Sequence, residues 1–167
     1  MIETAVDPLD RSVPTGVPPV GPACEANWTV AKSIGVDACT RRIFQALTLP
    51  EYLEAWIEMP DQTADSFVVA SQDANGYRLS HCFAGRTAVS IASSYLFCHL
   101  RKMRMLWRKT RGPICAESVV DFRLRGNFGS SILELRHTEL DSAEEFFWYQ
   151  RLWQGSLKKL ASLLRSA

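Results

Sequence analysis

Residues 41–56 read RRIFQALTLPEYLEAW, and the way the chain passes Thr48-Leu49-Pro50 decides the fold. Ile43, Phe44 and Leu47 recur at helical spacing, with Arg41 and Arg42 on the other side, so the first half is a short amphipathic helix. Val36 and Cys39 carry the same spacing backward, and Asp37 stands where an N-cap is expected. Pro50 lacks an N–H and cannot continue this helix, but its fixed φ suits the first turn of a new one. Tyr52, Leu53 and Trp56 then follow at i, i+1 and i+4. The stretch predicts two short helices with a sharp bend at Thr48–Pro50, both turning aromatic groups to the same side.

Working outward, residues 27–34 (NWTVAKSI) alternate, with Trp28, Val30 and Ile34 on one face and Lys32 the exception. That is a strand, broken at Gly35. Beyond the helices, Ser66–Ala70 is apolar and β-prone, and Asn75-Gly76 is a hairpin turn signal. Tyr77, Leu79, His81 and Phe83 alternate with Arg78, Ser80 and Cys82. After a turn at Gly85-Arg86, Val89, Ile91, Ser93, Tyr95 and Phe97 alternate with smaller groups. Met103, Met105 and Trp107 share one face of the next strand, with Lys102, Arg104 and Arg108 on the other. Arg111-Gly112-Pro113 turns the chain, and Val120, Phe122 and Leu124 alternate with Asp121, Arg123 and Arg125. Gly126-Asn127-Phe128-Gly129 is a hairpin loop, after which Leu133 and Leu135 continue. Consecutive strands with short turns predict an antiparallel sheet, and two-faced patterns predict one wet face.

The chain ends in a long helix. Ser142 with Glu145 has the spacing of a capping box, and Phe146, Tyr149, Trp153, Leu160 and Leu164 form an apolar stripe. Its roughly 24 residues span about 36 Å, enough to cross a sheet. The sequence therefore predicts an α+β fold: a curved antiparallel sheet of about six to seven strands around a long C-terminal helix, with two short helices after the first strand.

Composition narrows the function classes. The chain has 167 residues and a net charge of +1, which fits one domain and offers no broad electrostatic footprint for nucleic acid. No apolar run approaches a membrane span, and MIETAVDPLD has neither a basic start nor an apolar core, so no secretory signal is expected. Five widely spaced cysteines, without CxxC or a Cys/His cluster, point to free thiols, a cytoplasmic setting and no metal site. Residues 1–24 hold five of the eight prolines and one basic residue, Arg11. They read as a disordered or extended tail, with a docking peptide as the sharper alternative, and the folded domain is expected over residues 25–167.

The opening stretch and the closing helix together resemble the SRPBCC superfamily, whose helix-grip fold is shared with START domains. Within it they resemble the family named after the activator of the heat-shock-protein-90 ATPase. The residues that carry the resemblance are Ile43, Phe44, Leu47, Thr48, Pro50, Glu51, Leu53 and Trp56, then Trp153, Leu157 and Leu160. Order and length match over about residues 26–166. The family usually has an acidic residue where Leu49 stands and a glycine where Leu152 stands. The resemblance implies a sheet gripping the helix, the two short helices closing one end, and Trp56 closing the core or the mouth of a cavity.

The candidate site follows from strand parity. Trp56, His81, Phe83, Tyr95, Phe97, Met103, Met105, Trp107, Phe122, Tyr149 and Trp153 are expected to face the space between sheet and helix. They either fill the core or line a pocket for an apolar or amphipathic ligand. His81, His99 and His137 fall on, or at the end of, the same face, where an imidazole would be tunable near neutral pH. No nucleophile elbow, HExxH, P-loop or GxGxxG is present. An enzyme would have to assemble scattered groups such as His81, Tyr95 and Arg78. The run 101–111, RKMRMLWRKTR, is basic without an acid. Lys102, Arg104 and Arg108 could meet an acidic protein partner, but parity puts Trp107 on the opposite face, so no stacking platform for nucleic acid forms. The leading expectation is a non-enzymatic ligand-binding domain without a cofactor. A protein-interaction or co-chaperone-like module is the alternative, and a cyclase- or hydrolase-type enzyme the third reading.

Overall fold

The structure, a computed structural model, describes residues 28–126 and 128–165; the expected tail over 1–24 lies outside the described residues. The elements run β1 (Trp28–Val36), α1 (Thr40–Thr48), α2 (Pro50–Trp56), β2 (Ser66–Asp73), β3 (Gly76–Phe83), β4 (Arg86–His99), β5 (Lys102–Arg111), β6 (Ile114–Gly126), β7 (Ser131–Leu140) and α3 (Ala143–Arg165). The seven strands form one antiparallel sheet in the order β1-β7-β6-β5-β4-β3-β2. This is the expected helix-grip arrangement: a meander from β2 to β7, closed by β1 and folded round α3.

The bend at 48–50 has a simple mechanism. The residue before a proline is pushed out of the α region, and Leu49 is extended at φ −92°, ψ 128°, ending α1 and starting α2. Its N–H still donates to the Gln45 carbonyl, and Thr48 Oγ1 donates to the Phe44 carbonyl at 2.8 Å. The Trp56 indole N–H then donates back to the Ala46 carbonyl at 2.8 Å, locking the angle between the two helices. One expectation fails here. Asp37 is not the N-cap: β1 continues through Gly35, which pairs with Ile132, so α1 starts later, behind an extended Cys39.

In α3, the Glu145 N–H donates to Ser142 Oγ at 3.2 Å, half of the expected capping box. The other half is absent because the Glu145 carboxylate turns to Lys109. The helix buries Trp148, Tyr149, Leu152, Trp153, Ser156, Leu157, Leu160 and Leu164 against the concave face. Each large apolar side chain taken out of water stabilises the fold by about 1.5–3 kcal/mol. The β2–β3 turn holds backbone unusually close to β4. A Cβ on Gly76 would lie 2.1 Å from the Ser93 carbonyl oxygen, and Asn75 Nδ2 donates to the Tyr95 carbonyl at 3.0 Å. The β2–β3 turn thereby clasps β4 where the β4–β5 register shifts between Tyr95 and Phe97.

Candidate functional site

The concave face carries a polar row through its apolar packing. Tyr77 on β3 stands opposite Ser93 on β4, Ser93 opposite Trp107 on β5, and Trp107 opposite Ser118 on β6. Directly paired residues project from one face, and all four are buried. His137 on β7 and Tyr149 and Trp153 on α3 continue the row, giving a belt of hydroxyl, indole and imidazole groups across the grip.

On the β6–β7 side the belt is satisfied. The Trp153 indole N–H donates to His137 Nδ1 at 3.0 Å. An indole nitrogen only donates, so Nδ1 is the acceptor and the imidazole proton sits on Nε2. Nε2–H then donates to Ser118 Oγ at 2.7 Å, and the Ser118 hydroxyl in turn supports the Tyr149 oxygen. Burial, then the nearby Lys109 ammonium, holds His137 neutral and pushes its pKa down from 6.5 to about 3. The Ser118–His137 distance suits a nucleophile and its base, but the polarity is reversed. A general base needs a lone pair on the nitrogen that faces the hydroxyl, with a carboxylate behind it. Here that nitrogen carries the proton and an indole stands behind. The pair is a fixed neutral strut rather than a catalytic dyad.

Lys109 sits beside it, 7% exposed. Its ammonium contacts the Glu145 carboxylate and lies 4.3 Å from the Trp148 ring centroid and 5.1 Å from that of Tyr149. The surrounding rings favour a cation, which helps explain how a lysine persists inside. Trp148 Nε1–H reaches Asp61 at 3.4 Å, closing this end of the grip.

On the β3–β5 side the belt is unsatisfied. Trp107 Nε1, Tyr95 Oη and His81 Nε2 are enclosed and have no hydrogen-bond partner among the described residues. The Tyr77 hydroxyl faces Ser93 and Trp107, and the Tyr77 and Tyr95 rings meet edge to face at 6.3 Å. The Ser93 hydroxyl donates to the Met105 sulfur at 3.3 Å. Burial raises the pKa of Tyr77, and burial followed by Cys98 pushes Tyr95 up to about 12. Both phenols therefore keep their protons. In the register, Tyr95 lies two residues beyond Ser93, and His81 lies four residues beyond Tyr77 in the opposite sense. The three orphan groups thus span about 20 Å along the strands.

The structure brings Met103, Met105, Trp107, Phe122, Tyr149 and Trp153 together as expected, all nearly fully buried. Their rings touch: Trp107 and Trp153 centroids are 5.1 Å apart, Phe122 and Trp153 5.7 Å, and His137 and Tyr149 4.0 Å. Trp56 is buried and spends its N–H on Ala46, so it seals the short helices together. Two expected inward residues are corrected. Phe97 is 50% exposed because the extra residue Leu96 on β4 puts it opposite the outward Arg104, and Phe83 is 47% exposed because it is the last residue of β3, paired with the first residue of the edge strand β2. His99 is likewise exposed and stacks on Phe97 at 6.4 Å. Lys102, Arg104 and Arg108 lie on the outer face. Arg104 faces Asp121 at 3.7 Å, Arg108 is bonded to Glu117, and Lys102 lies 5.9 Å over Phe97. Sequence reading passed over Lys109 and Ser118. Parity was the available signal for Lys109, two residues after Trp107, but the basic run around it masked the switch of face.

Fold and site together define a helix-grip domain with a polar belt inside the grip. No protein-family model matches the chain, and no curated protein matches it in sequence. Solved structures do match. The AHSA1 protein of Silicibacter pomeroyi superposes with a TM-score of 0.68 at 16% identity, over 83% of this chain and 98% of its own. A protein of Chromobacterium violaceum gives 0.65 at 19%, over 81% and 96%, and the Aha1 dimer of Colwellia psychrerythraea 0.58 at 18%, over 81% and 95%. The chain shares the helix-grip fold of these proteins, two of which are AHSA1 or Aha1 proteins. Among the described residues no helix is long and apolar enough to cross a membrane, and no cluster of three or more His, Cys, Asp or Glu is placed to hold a metal.

Proposed function

We propose that this protein binds a small amphipathic ligand between β3–β5 and α3, without catalysing its conversion. The ligand lays an apolar body against Trp107, Met105 and Tyr77 and offers a hydrogen-bonding group to Trp107 Nε1–H and the Tyr95 hydroxyl. One observation carries the reading: the polar belt is fully paired at one end, and at the other Trp107 Nε1 and Tyr95 Oη are enclosed without a well-formed hydrogen bond. A buried donor without a partner costs about 1–3 kcal/mol, and native interiors hold few such groups. Trp107 and Tyr95, on neighbouring strands and two residues apart in register, mark where a ligand's polar atoms would be received. Entry would be at Tyr95, which is half-buried beside the exposed β4–β5 tip. The cytoplasm is the setting that the four unpaired cysteines among the described residues favour.

A protein-interaction role through Lys102, Arg104 and Arg108 draws less support, since Arg104 and Arg108 each face a carboxylate on β6. The test is native mass spectrometry of the purified protein beside its denatured mass, followed by titration with anilinonaphthalene sulfonate. A bound species that leaves on denaturation, and dye binding weakened several-fold in Tyr95→Phe, are the expected results. A bare native mass after exposure to a lipid and metabolite extract, with dye binding unchanged by Tyr95→Phe, would overturn the proposal.

A further inference from the structure

The outer face of the sheet, away from α3, carries a groove of about 790 Å³ across β1, β7, β6 and β5. Five cations line it: Lys32, Lys102, Arg104, Arg123 and Arg136, against the three carboxylates Asp121, Glu134 and Glu139. Asp121 answers Arg104 and Glu134 answers Arg125. Lys102, Arg123 and Arg136 have no carboxylate within ion-pair distance among the described residues. The same register shift that expels Phe97 from the core sets it opposite Arg104, beneath the Lys102 ammonium, with Leu96 59% exposed beside it. The groove is thus cationic along its floor, and Phe97 extends the same face just beyond its Lys102–Arg104 end.

The charge of the chain is divided to match. Residues 1–27 carry four carboxylates and one guanidinium, net −3, which leaves +4 on the rest of a chain whose total is +1. The first ten residues, MIETAVDPLD, set apolar groups beside acids: Ile2 with Glu3, Val6 with Asp7, Leu9 with Asp10. The point of attachment is also favourable. The segment joins the domain at Trp28, and Ala31 and Ser33, a few residues later on the same strand, already line the groove. Seventeen residues separate Asp10 from Trp28, a length that at about 3.1 Å per residue suffices to return to the face the chain leaves.

We propose that residues 1–10 of the chain occupy this outer groove, with Glu3, Asp7 and Asp10 on Lys102, Arg123 and Arg136 and their apolar neighbours against Phe97 and Leu96. The contact is intramolecular and salt-sensitive, and it shields the basic face from acidic partners.

The test is zero-length carbodiimide cross-linking of the full chain at low ionic strength, read by peptide mass spectrometry. The chain has five lysines, and Lys158 and Lys159 on α3 serve as internal controls. The expected result is amide links from Glu3, Asp7 or Asp10 to Lys102 or Lys32 within one chain. They should be lost at about 1 M salt, where screening shortens to about 3 Å, and lost in the double variant Arg123→Gln, Arg136→Gln. Tryptic cleavage after Arg11 gives a second readout independent of lysine, and should quicken several-fold in that variant while its circular dichroism is unchanged. Links no more frequent to Lys102 than to Lys158 and Lys159, links only between two chains, or cleavage at Arg11 unaffected by the variant would overturn the proposal.

Discussion

The most direct consequence of the belt concerns acid. His137 is held neutral in the folded protein, with its pKa pushed from 6.5 to about 3, first by burial and then by Lys109. In the unfolded chain it titrates near 6.5. Below pH 6.5 the unfolded state therefore binds a proton that the folded state refuses, and stability falls with pH until the folded pKa near 3 is reached. The contribution is fully present above pH 6.5. At pH 5 the two values give a loss of about 2 kcal/mol, and each further unit removes about 1.4 kcal/mol down to the lower pKa. A domain of this size has about 5–15 kcal/mol to lose. The assay is urea unfolding followed by tryptophan fluorescence at pH 7.5, 6.5, 5.5 and 5.0, above the range where most carboxylates titrate. A 2 kcal/mol loss lowers the midpoint by about 1 M. The control is His137→Gln, whose amide can still accept from Trp153 and donate to Ser118. It should be less stable at pH 7.5 but lose that pH-dependent component. If wild type and His137→Gln lose the same stability between pH 6.5 and 5.0, the assignment of a buried neutral His137 is wrong.

Three further outcomes follow from the same geometry. Gly76→Ala should lower stability by about 1–3 kcal/mol, read by urea midpoint, because the new methyl would meet backbone of β4 at 2.1 Å. Lys109→Met should cost about 1–3 kcal/mol by leaving the partly buried Glu145 unpaired; adding Glu145→Gln should recover a large part, and thermal melts of both variants check it. Tyr95→Phe should leave stability unchanged or raise it, since its hydroxyl has no partner to lose, whereas a structural hydroxyl would cost about 1 kcal/mol; chemical denaturation separates the two.

Most of the architecture was legible because it is written in periods and breakers. Strand parity placed Met103, Met105, Trp107, Phe122 and Leu124 correctly, and Pro50 dictated the break at Leu49 through local sterics alone. The errors sit where the period slips or a strand ends. The extra residue Leu96 reverses the later side chains of β4, so Phe97 reads as inward although it is exposed, while Phe83 keeps its phase and is exposed because β3 ends there beside an edge strand. Asp37 was misread because Gly35 looked like a strand end, whereas its pairing with Ile132 across β7 keeps β1 going. The candidate site was legible as a set of bulky residues but not as a belt. The alignment of Tyr77, Ser93, Trp107 and Ser118 depends on the register between four strands, which no single strand encodes. The tautomer of His137 depends on an indole from a helix sixteen residues further on.

Trp107 joins the two halves of the belt. Its ring packs against Trp153 and, edge to face, against His137, in the half where the belt is paired. Its N–H lies toward the Tyr77 hydroxyl without a well-formed hydrogen bond, in the half where Tyr95 and His81 also lack partners. The paired half fixes the position and rotation of that indole, because moving it would disturb the Trp153–His137–Ser118 chain and the Lys109–Glu145 pair behind it. A donor fixed in this way meets a ligand without first losing side-chain freedom, and pre-organisation of this kind reduces the entropic cost of binding. The packed aromatic core is therefore compatible with the binding reading, because one side of it is the rigid wall against which a ligand would be held. Substitutions on the paired side, such as Trp153→Phe, should then weaken binding as well as stability although they touch no ligand, while Tyr95→Phe weakens binding alone.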